Sequence, residues 1–392
     1  MKGNIIHSDP QTQADPVTGV PVMRLSDDQG DTNHPYFTVS QVDSDSTFII
    51  VTSNRTGEDQ FYTLSFADGT MVQLTDDRDV HTGCLDAANR IVYYFAGHVL
   101  KSVRLDDLTE EEHMAVPAGF IPASLSCTAD GRYLAFTMVE LAQAELCTAR
   151  FEAEFSGGSK GFREKFFRYP SSVIIRYDTQ THTGYPVTGE LRRMTHVIIH
   201  PTDGDTVLYC HEGPWHLVQR MWIANVATDE THPLVETQRH LERVGHEFFT
   251  ASGRVGTQYS YRYRADMDWL AHADIYVNPD GSDERRYYYP YRRPVHVYAN
   301  SEQHLAVGDT AQIRMDDPDY RRYISLIRYD AGGHQALVGR LCSHDTSWRK
   351  SGHPHPIITP DDKHVIWGSD VGGHMNVYMA PVDWEPCLKS DR

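Results

Sequence analysis

Long apolar runs are missing from this chain: nothing in it approaches the run of about 20 apolar residues that a membrane span needs. The opening Met1-Lys2-Gly3-Asn4-Ile5-Ile6-His7 also lacks the apolar centre of a secretory signal. Together these absences predict a cytoplasmic protein. Cysteine is sparse as well. Cys84, Cys127, Cys147, Cys210, Cys342 and Cys387 are scattered without a CxxC pair, which excludes a zinc knuckle and a disulfide framework and leaves small buried hydrophobes. No phosphate-binding P-loop or GxGxxG fingerprint occurs, so P-loop NTPases and Rossmann dehydrogenases drop out. Basic residues are the last deficit. With 36 Lys and Arg against 54 Asp and Glu the net charge is −18, which argues against nucleic acid and anionic membranes as partners. An anionic ligand would need a local cluster of cations.

What is present in quantity is short strand-like segments separated by Asp, Gly and Asn turns, over 392 residues of which 40% are hydrophobic and 23% charged. The clearest unit opens with Tyr36-Phe37-Thr38-Val39-Ser40 and turns at Asp43-Ser44-Asp45-Ser46. It continues through Thr47 to Thr52 and Gln60 to Leu64, and closes with Asp68-Gly69-Thr70 and Met71 to Thr75. Four strands and three tight turns make one propeller blade. The order returns six more times, starting near His81, Ala123, His196, His246, His296 and His355. The chain is therefore read as all-β, a single seven-bladed β-propeller over residues 1–392. An insertion at about 140–169 in blade three, rich in Phe, Lys, Arg and Glu, reads as a helical excursion over one mouth.

Only three strands fit after His355. The N-terminal stretch Asp15-Pro16-Val17-Thr18-Gly19-Val20-Pro21-Val22-Met23-Arg24-Leu25-Ser26-Asp27-Asp28 has the pattern of blade one's last turn and strand, and is expected to complete blade seven. A first strand that finishes the last blade closes the ring and removes its open edges.

Inner strands of a propeller line the central channel, and histidines mark their starts: His34, His81, His196, His246, His296 and the pair His353 and His355. Several recur about 50 residues apart, at the period of a blade. A cation stands three residues before four of them, as Arg193, Arg243, Arg293 and Lys350. In His353-Pro354-His355-Pro356 the extended backbone aims both imidazoles to one side, which makes half of a metal site or one wall of a polar pocket. Any one of these histidines alone reads as a structural hydrogen-bonder. Seven at one mouth read as metal ligands or proton carriers, because neighbouring imidazolium charges would repel one another. The pattern predicts a ring of imidazole and positive charge on an acidic protein.

A second constellation is Cys210-His211-Glu212-Gly213-Pro214-Trp215, leading to Arg220-Met221-Trp222. Arg220 offers a planar fork for a carboxylate and Trp215 a flat face for a sugar ring.

With these segments in view, the sequence resembles the oligogalacturonate lyases, a family of polysaccharide lyases. The likeness is carried by Cys210 to Pro214 with Arg220-Met221-Trp222, by Gly245-His246-Glu247-Phe248, by His344-Asp345-Thr346-Ser347-Trp348, and by His353 to Pro356 with Thr359-Pro360-Asp361. It implies a seven-bladed propeller in a cytoplasmic enzyme that cleaves digalacturonate and related oligogalacturonates by β-elimination, using manganese. It also implies His246 as general base, Arg220 as catalytic partner of the substrate carboxylate, and His296, His353 and His355 as metal ligands. Candidate substrate contacts are His196, His211, Trp215, Trp348 and Lys350.

One position departs from the family pattern. Lys350 stands where a glutamine ligand is expected, and a protonated lysine cannot ligate a cation. Either three histidines hold Mn2+ or another divalent cation with water or substrate completing the shell, or Lys350 itself neutralises the uronate. The same change leaves open a lyase for a glucuronate- or rhamnose-containing disaccharide that works without metal. The reading from a different class is a non-enzymatic TolB-like binding propeller, which predicts an apolar, aromatic mouth.

Overall fold

Alternating apolar residues and Asp/Gly turns fold into seven antiparallel sheets, one per blade, in a computed structural model of the chain. The structure describes residues 1–141, 171–213, 218–237, 241–264, 267, 270–301, 305–330, 332, 334–348 and 352–384. The expected insertion at 140–169, Trp215 and Lys350 thus lie outside the described residues, save for the insertion's first two positions.

Apolar faces of neighbouring blades pack against one another, so the core is a series of clusters between sheets. One cluster joins Val307, Ile324, Leu326 and Leu341 of blade six to Ile358, Val365 and Trp367 of blade seven. Each fully buried side chain of this size contributes about 1.5–3 kcal/mol relative to exposure.

The ring closes as expected. Strand Pro21–Arg24 pairs with Asn376–Pro381 of blade seven, with Met23 opposite Met379 and Arg24 opposite Tyr378. The N-terminus does more than the sequence suggested. Gln11–Ala14 adds a fifth strand to that sheet, and Ile5–His7 crosses to pair with Thr70–Gln73 of blade one. Between them the Ser8 hydroxyl lies 2.6 Å from both Leu25 O and Gly69 O and shares its one proton between the two carbonyls. The first 24 residues therefore fasten both sides of the seam.

Blade one corrects the expected inner strand. Tyr36 to Ser40 is not a strand; the inner position is taken by Thr32–Asn33 and an isolated bridge from Val42 to Ile49. Pro35 cannot donate to a ladder, and Gln41 holds the intervening loop through its amide donating to Tyr36 O and Val39 O, each at 3.3 Å. The loop carries Tyr36 and Phe37 into the channel.

The innermost strand slips register in five other blades; in blade six the slip lies between Tyr298 and Ser301, and in the remaining four it is a bulge around one left-handed residue. Those four slips fall between His81 and Gly83, Ala123 and Leu125, Thr195 and Ile198, and Gly245 and Phe248. A left-handed residue sits in each: Thr82 at φ 42°, Ser124 at 56°, His196 at 51° and His246 at 57°. His355 of blade seven is left-handed too, at 45°. A bulge re-aims one side chain out of the pleat.

Candidate active site

Because the bulges turn His196 and His246 inward, and the Pro-flanked His355 is turned in the same way, imidazoles from separate blades meet in the channel. His246 lies 4.4 Å from His296 between ring centroids, His296 lies 4.4 Å from His355, and His353 stands 5.5 Å from His355. His296, His353 and His355 each bring one ligand atom within 4.8 Å of the others. Phe37 packs on His296 and His355 at 5.5 and 5.7 Å, and Tyr36 meets His355 and His196 edge-on.

Hydrogen bonds set which nitrogen of each ring is free. A carbonyl only accepts, so the 2.7 Å contact of His246 Nδ1 with Val295 O places the proton on Nδ1 and leaves Nε2 with its lone pair. The Gln258 side-chain amide lies 3.1 Å from the same Nδ1. His296 Nδ1 donates at 2.5 Å to Asp309, which is fully buried and also accepts from the backbone N–H groups of Val295 and His296. His296 thereby presents Nε2 in the manner of a carboxylate-oriented metal ligand.

Burial first, and then repulsion from His296, Arg243, Arg220 and Arg293, holds His246 well below the ordinary imidazole value. His355 is held well below it by burial and the neighbouring histidines, and His353 is lowered for the same reasons. These three rings are therefore neutral at pH 7.

The arginines are balanced in turn. Burial opposes the Arg220 charge, but Glu247 at 3.2 Å from Nε and Glu212 at 3.3 Å from Nη1 outweigh it. Breaking such a buried pair by removing one partner costs about 3–5 kcal/mol. Gly245 makes room for this arrangement, since a Cβ there would stand 3.3 Å from Arg220 Nε. Arg243 is lowered to about 9 by burial and by Arg293 and Arg220 nearby. An arginine stays protonated at that value in neutral solution, so Arg243 is a buried cation held against desolvation first and against its arginine neighbours second. The ring of positive charge expected from the sequence is thus muted: His246, His353 and His355 are neutral and Arg220 is already paired.

Beside the histidine cluster, across Tyr36 and His196, opens a cavity of about 470 Å3 lined by Arg193, His196, Glu212, Thr82 and Ser124. The set His196, Cys210 and Glu212 also has ligand-like spacing. It suits a cation poorly, because Arg220 already neutralises Glu212 and burial pushes the Cys210 thiol far up.

A family model described as oligogalacturonate lyase matches residues 1–384. The chain belongs to the oligogalacturonate lyase family. Curated oligogalacturonate lyases resemble it over their whole length: "Oligogalacturonate lyase" of Dickeya dadantii is 26% identical over 97% of this chain and 98% of that protein. "Oligogalacturonide lyase" of Pectobacterium atrosepticum is 27% identical over the same shares. A solved oligogalacturonate lyase in complex with manganese superposes with a TM-score of 0.84 at 25% identity, covering 98% of this chain and 99% of that one. The Vibrio parahaemolyticus oligogalacturonate lyase, at 23% identity and a TM-score of 0.83, shares the fold.

As a member of the oligogalacturonate lyase family the chain brings together most, and not all, of the residues singled out in its sequence. His246, Arg220, His296, His353, His355 and His196 converge. Trp348 stands at the rim, its ring 5.4 Å from His353 and its indole N–H donating to Arg321 O. His344 braces that loop, donating to Asp309 O and accepting from Thr346 N. Gly352 closes it where a Cβ would meet Asp370 at 2.7 Å.

His211 does not join them. Along its strand Cys210 faces Glu212 and Arg220, so alternation turns His211 the other way, to Glu190 at 3.1 Å and the Trp222 ring at 5.0 Å. It is a buried packing residue here and a correction to its expected place at the substrate. His81 is one residue out of phase: the bulge falls on Thr82, and His81 stacks on Phe95 and meets Gly97 O. His34 lies behind His355 and ties Gln41 to Pro354 O. Asp309, Glu247, Tyr36 and Phe37 were missed. Asp309 could have been found as an acidic residue ending the strand that pairs beside His296.

No helix among the described residues is long and apolar enough to cross a membrane.

Proposed function

We propose that this chain cleaves short uronic-acid oligosaccharides, digalacturonate foremost, by β-elimination, with His246 as general base and His296, His353 and His355 holding a divalent cation. The observation that carries the reading is the neutral His246 ring, 4.4 Å from His296, with Nε2 as its unprotonated nitrogen. The three-histidine set fits a cation chemically. Its rings stand at ligand spacing, burial keeps His353 and His355 unprotonated, and Asp309 takes the Nδ1 proton of His296. Manganese is the ion named for the structurally similar lyase, and is the first to try. When bound, such a cation withdraws charge from a uronate carboxylate.

The chain's own residues supply the remainder. The C5 proton of a uronate is a weak acid because its loss puts charge beside a carboxylate, so cations aimed at that carboxylate stabilise the transition state more than the ground state. Arg220, oriented by Glu247 and Glu212, and Arg243, a buried cation beside Arg293, serve this purpose. His246 Nε2 takes the C5 proton. Tyr36 lines the cavity, and burial and Glu247 keep its hydroxyl protonated, so it is placed to return a proton to the departing C4 oxygen. No water is consumed, and the product is a 4,5-unsaturated uronide.

An absorbance screen over digalacturonate and glucuronate- or rhamnose-containing disaccharides, with metal analysis of the purified protein, tests the reading. Digalacturonate should give the largest rate. An unsaturated product from no uronide would overturn the lyase assignment.

A further inference from the structure

A second cluster of chelating side chains lies far from the channel in sequence and in blade position. Strand Glu110–Ala115 is the outermost of blade two, and its residues Glu111 and His113, two apart, share one face. His182 comes from blade three, in the turn between Ser172–Asp178 and Thr183–Glu190, held there in left-handed backbone at φ 55°.

The three side chains bring ligand atoms within 4.8 Å of one another. His182 Nδ1 is 3.7 Å from Glu111 Oε1 and 3.3 Å from the Tyr177 hydroxyl. The His113 and His182 rings lie parallel to within 15° at 5.8 Å. With metal–ligand bonds of about 2.0–2.2 Å, ligands around one ion stand roughly 3.4 Å apart, so small side-chain rotations would complete the shell.

A second observation points to a ligand. His113 Nε2 is tied to Ser102 Oγ at 2.9 Å, while its Nδ1 is buried without a hydrogen-bond partner. With Ser102 accepting from Nε2–H, Nδ1 holds a lone pair with no donor to meet it, which is the arrangement of a metal-ligating histidine fixed by its outer hydrogen bond. Glu111 and His182 are about half exposed, at 57% and 49%, and the group borders a cleft of about 350 Å3 between the blades. An ion can reach it.

We infer that Glu111, His113 and His182 form a second divalent-metal site, of the two-imidazole, one-carboxylate type suited to Zn2+ or a similar late transition ion, joining the outer edge of blade two to blade three. Tyr177 or water would fill the remaining position. The site is independent of the chemistry in the channel.

The test is the number of Zn2+ ions bound per chain, by equilibrium dialysis and elemental analysis of the full-length protein. His182→Asn keeps a residue that accepts left-handed backbone, and His182→Ala is the second variant. Both should bind one ion fewer than wild type, whatever the channel holds, at unchanged lyase rate, and Zn2+ should raise their melting temperature less. An ion count equal to wild type in either folded variant would overturn the site.

Discussion

Blades two and three and blades four and five use the same backbone device for different ends. In each, the innermost strand slips register and presents one left-handed residue to the channel, but the first pair offers the hydroxyls of Thr82 and Ser124 and the second pair the imidazoles of His196 and His246. A non-glycine residue in that backbone costs of order 1–3 kcal/mol, and the ring bears it on both sides. The bulge therefore belongs to the scaffold, and the side chain placed on it decides whether a blade offers the channel a hydroxyl or an imidazole. Blade seven joins the second group through His355, while blade six reaches the same point without a left-handed histidine, by aiming His296 with Asp309.

The comparison can be broken first on the imidazole side. His355→Ala should remove the bound cation from the channel and lower turnover on the order of 10²–10³-fold, read by elemental analysis and by the absorbance of the unsaturated product. Asp309→Asn should act at one remove, weakening cation affinity about 10–100-fold in a metal titration while the fold is retained.

A pH profile sharpens the contrast further. His246 is held below its ordinary value, so its basic form persists to lower pH and the acid limb of kcat/KM should fall below about 6.5, the unperturbed imidazole value. Arg243 contributes to that depression by repulsion, so Arg243→Gln should move the limb upward toward the unperturbed value. The smallest effect is expected on the hydroxyl side. Ser124→Ala, in the cavity wall, should raise KM slightly and leave kcat unchanged in steady-state kinetics.

Much of this was legible in the chain. The turn-and-strand period gave the blades, the Asp15 to Asp28 stretch gave the closure, and histidines at blade spacing gave the cluster, because local periodicity survives folding. What failed depended on phase and register. A single bulged residue moves the inward position from His81 to Thr82, and strand alternation turns His211 away from Arg220; neither is visible before the pairing is known. Pro35 was in plain sight and should have demoted Tyr36 to Ser40 from strand to loop, which is how Tyr36 and Phe37 come to line the site. Asp309 and Glu247 were hidden for another reason: an acidic residue is common on a surface, and only its burial beside His296 or Arg220 gives it a role.

The central claim is that a neutral imidazole on a bulge of blade five takes the proton next to a cation site built by blades six and seven. Turnover of digalacturonate by His246→Ala, followed as unsaturated product with Mn2+ binding measured on the same sample, tests it most directly. The account predicts wild-type cation binding with a rate lowered about 10²–10⁴-fold; a variant that binds the ion and eliminates at the full rate would contradict it.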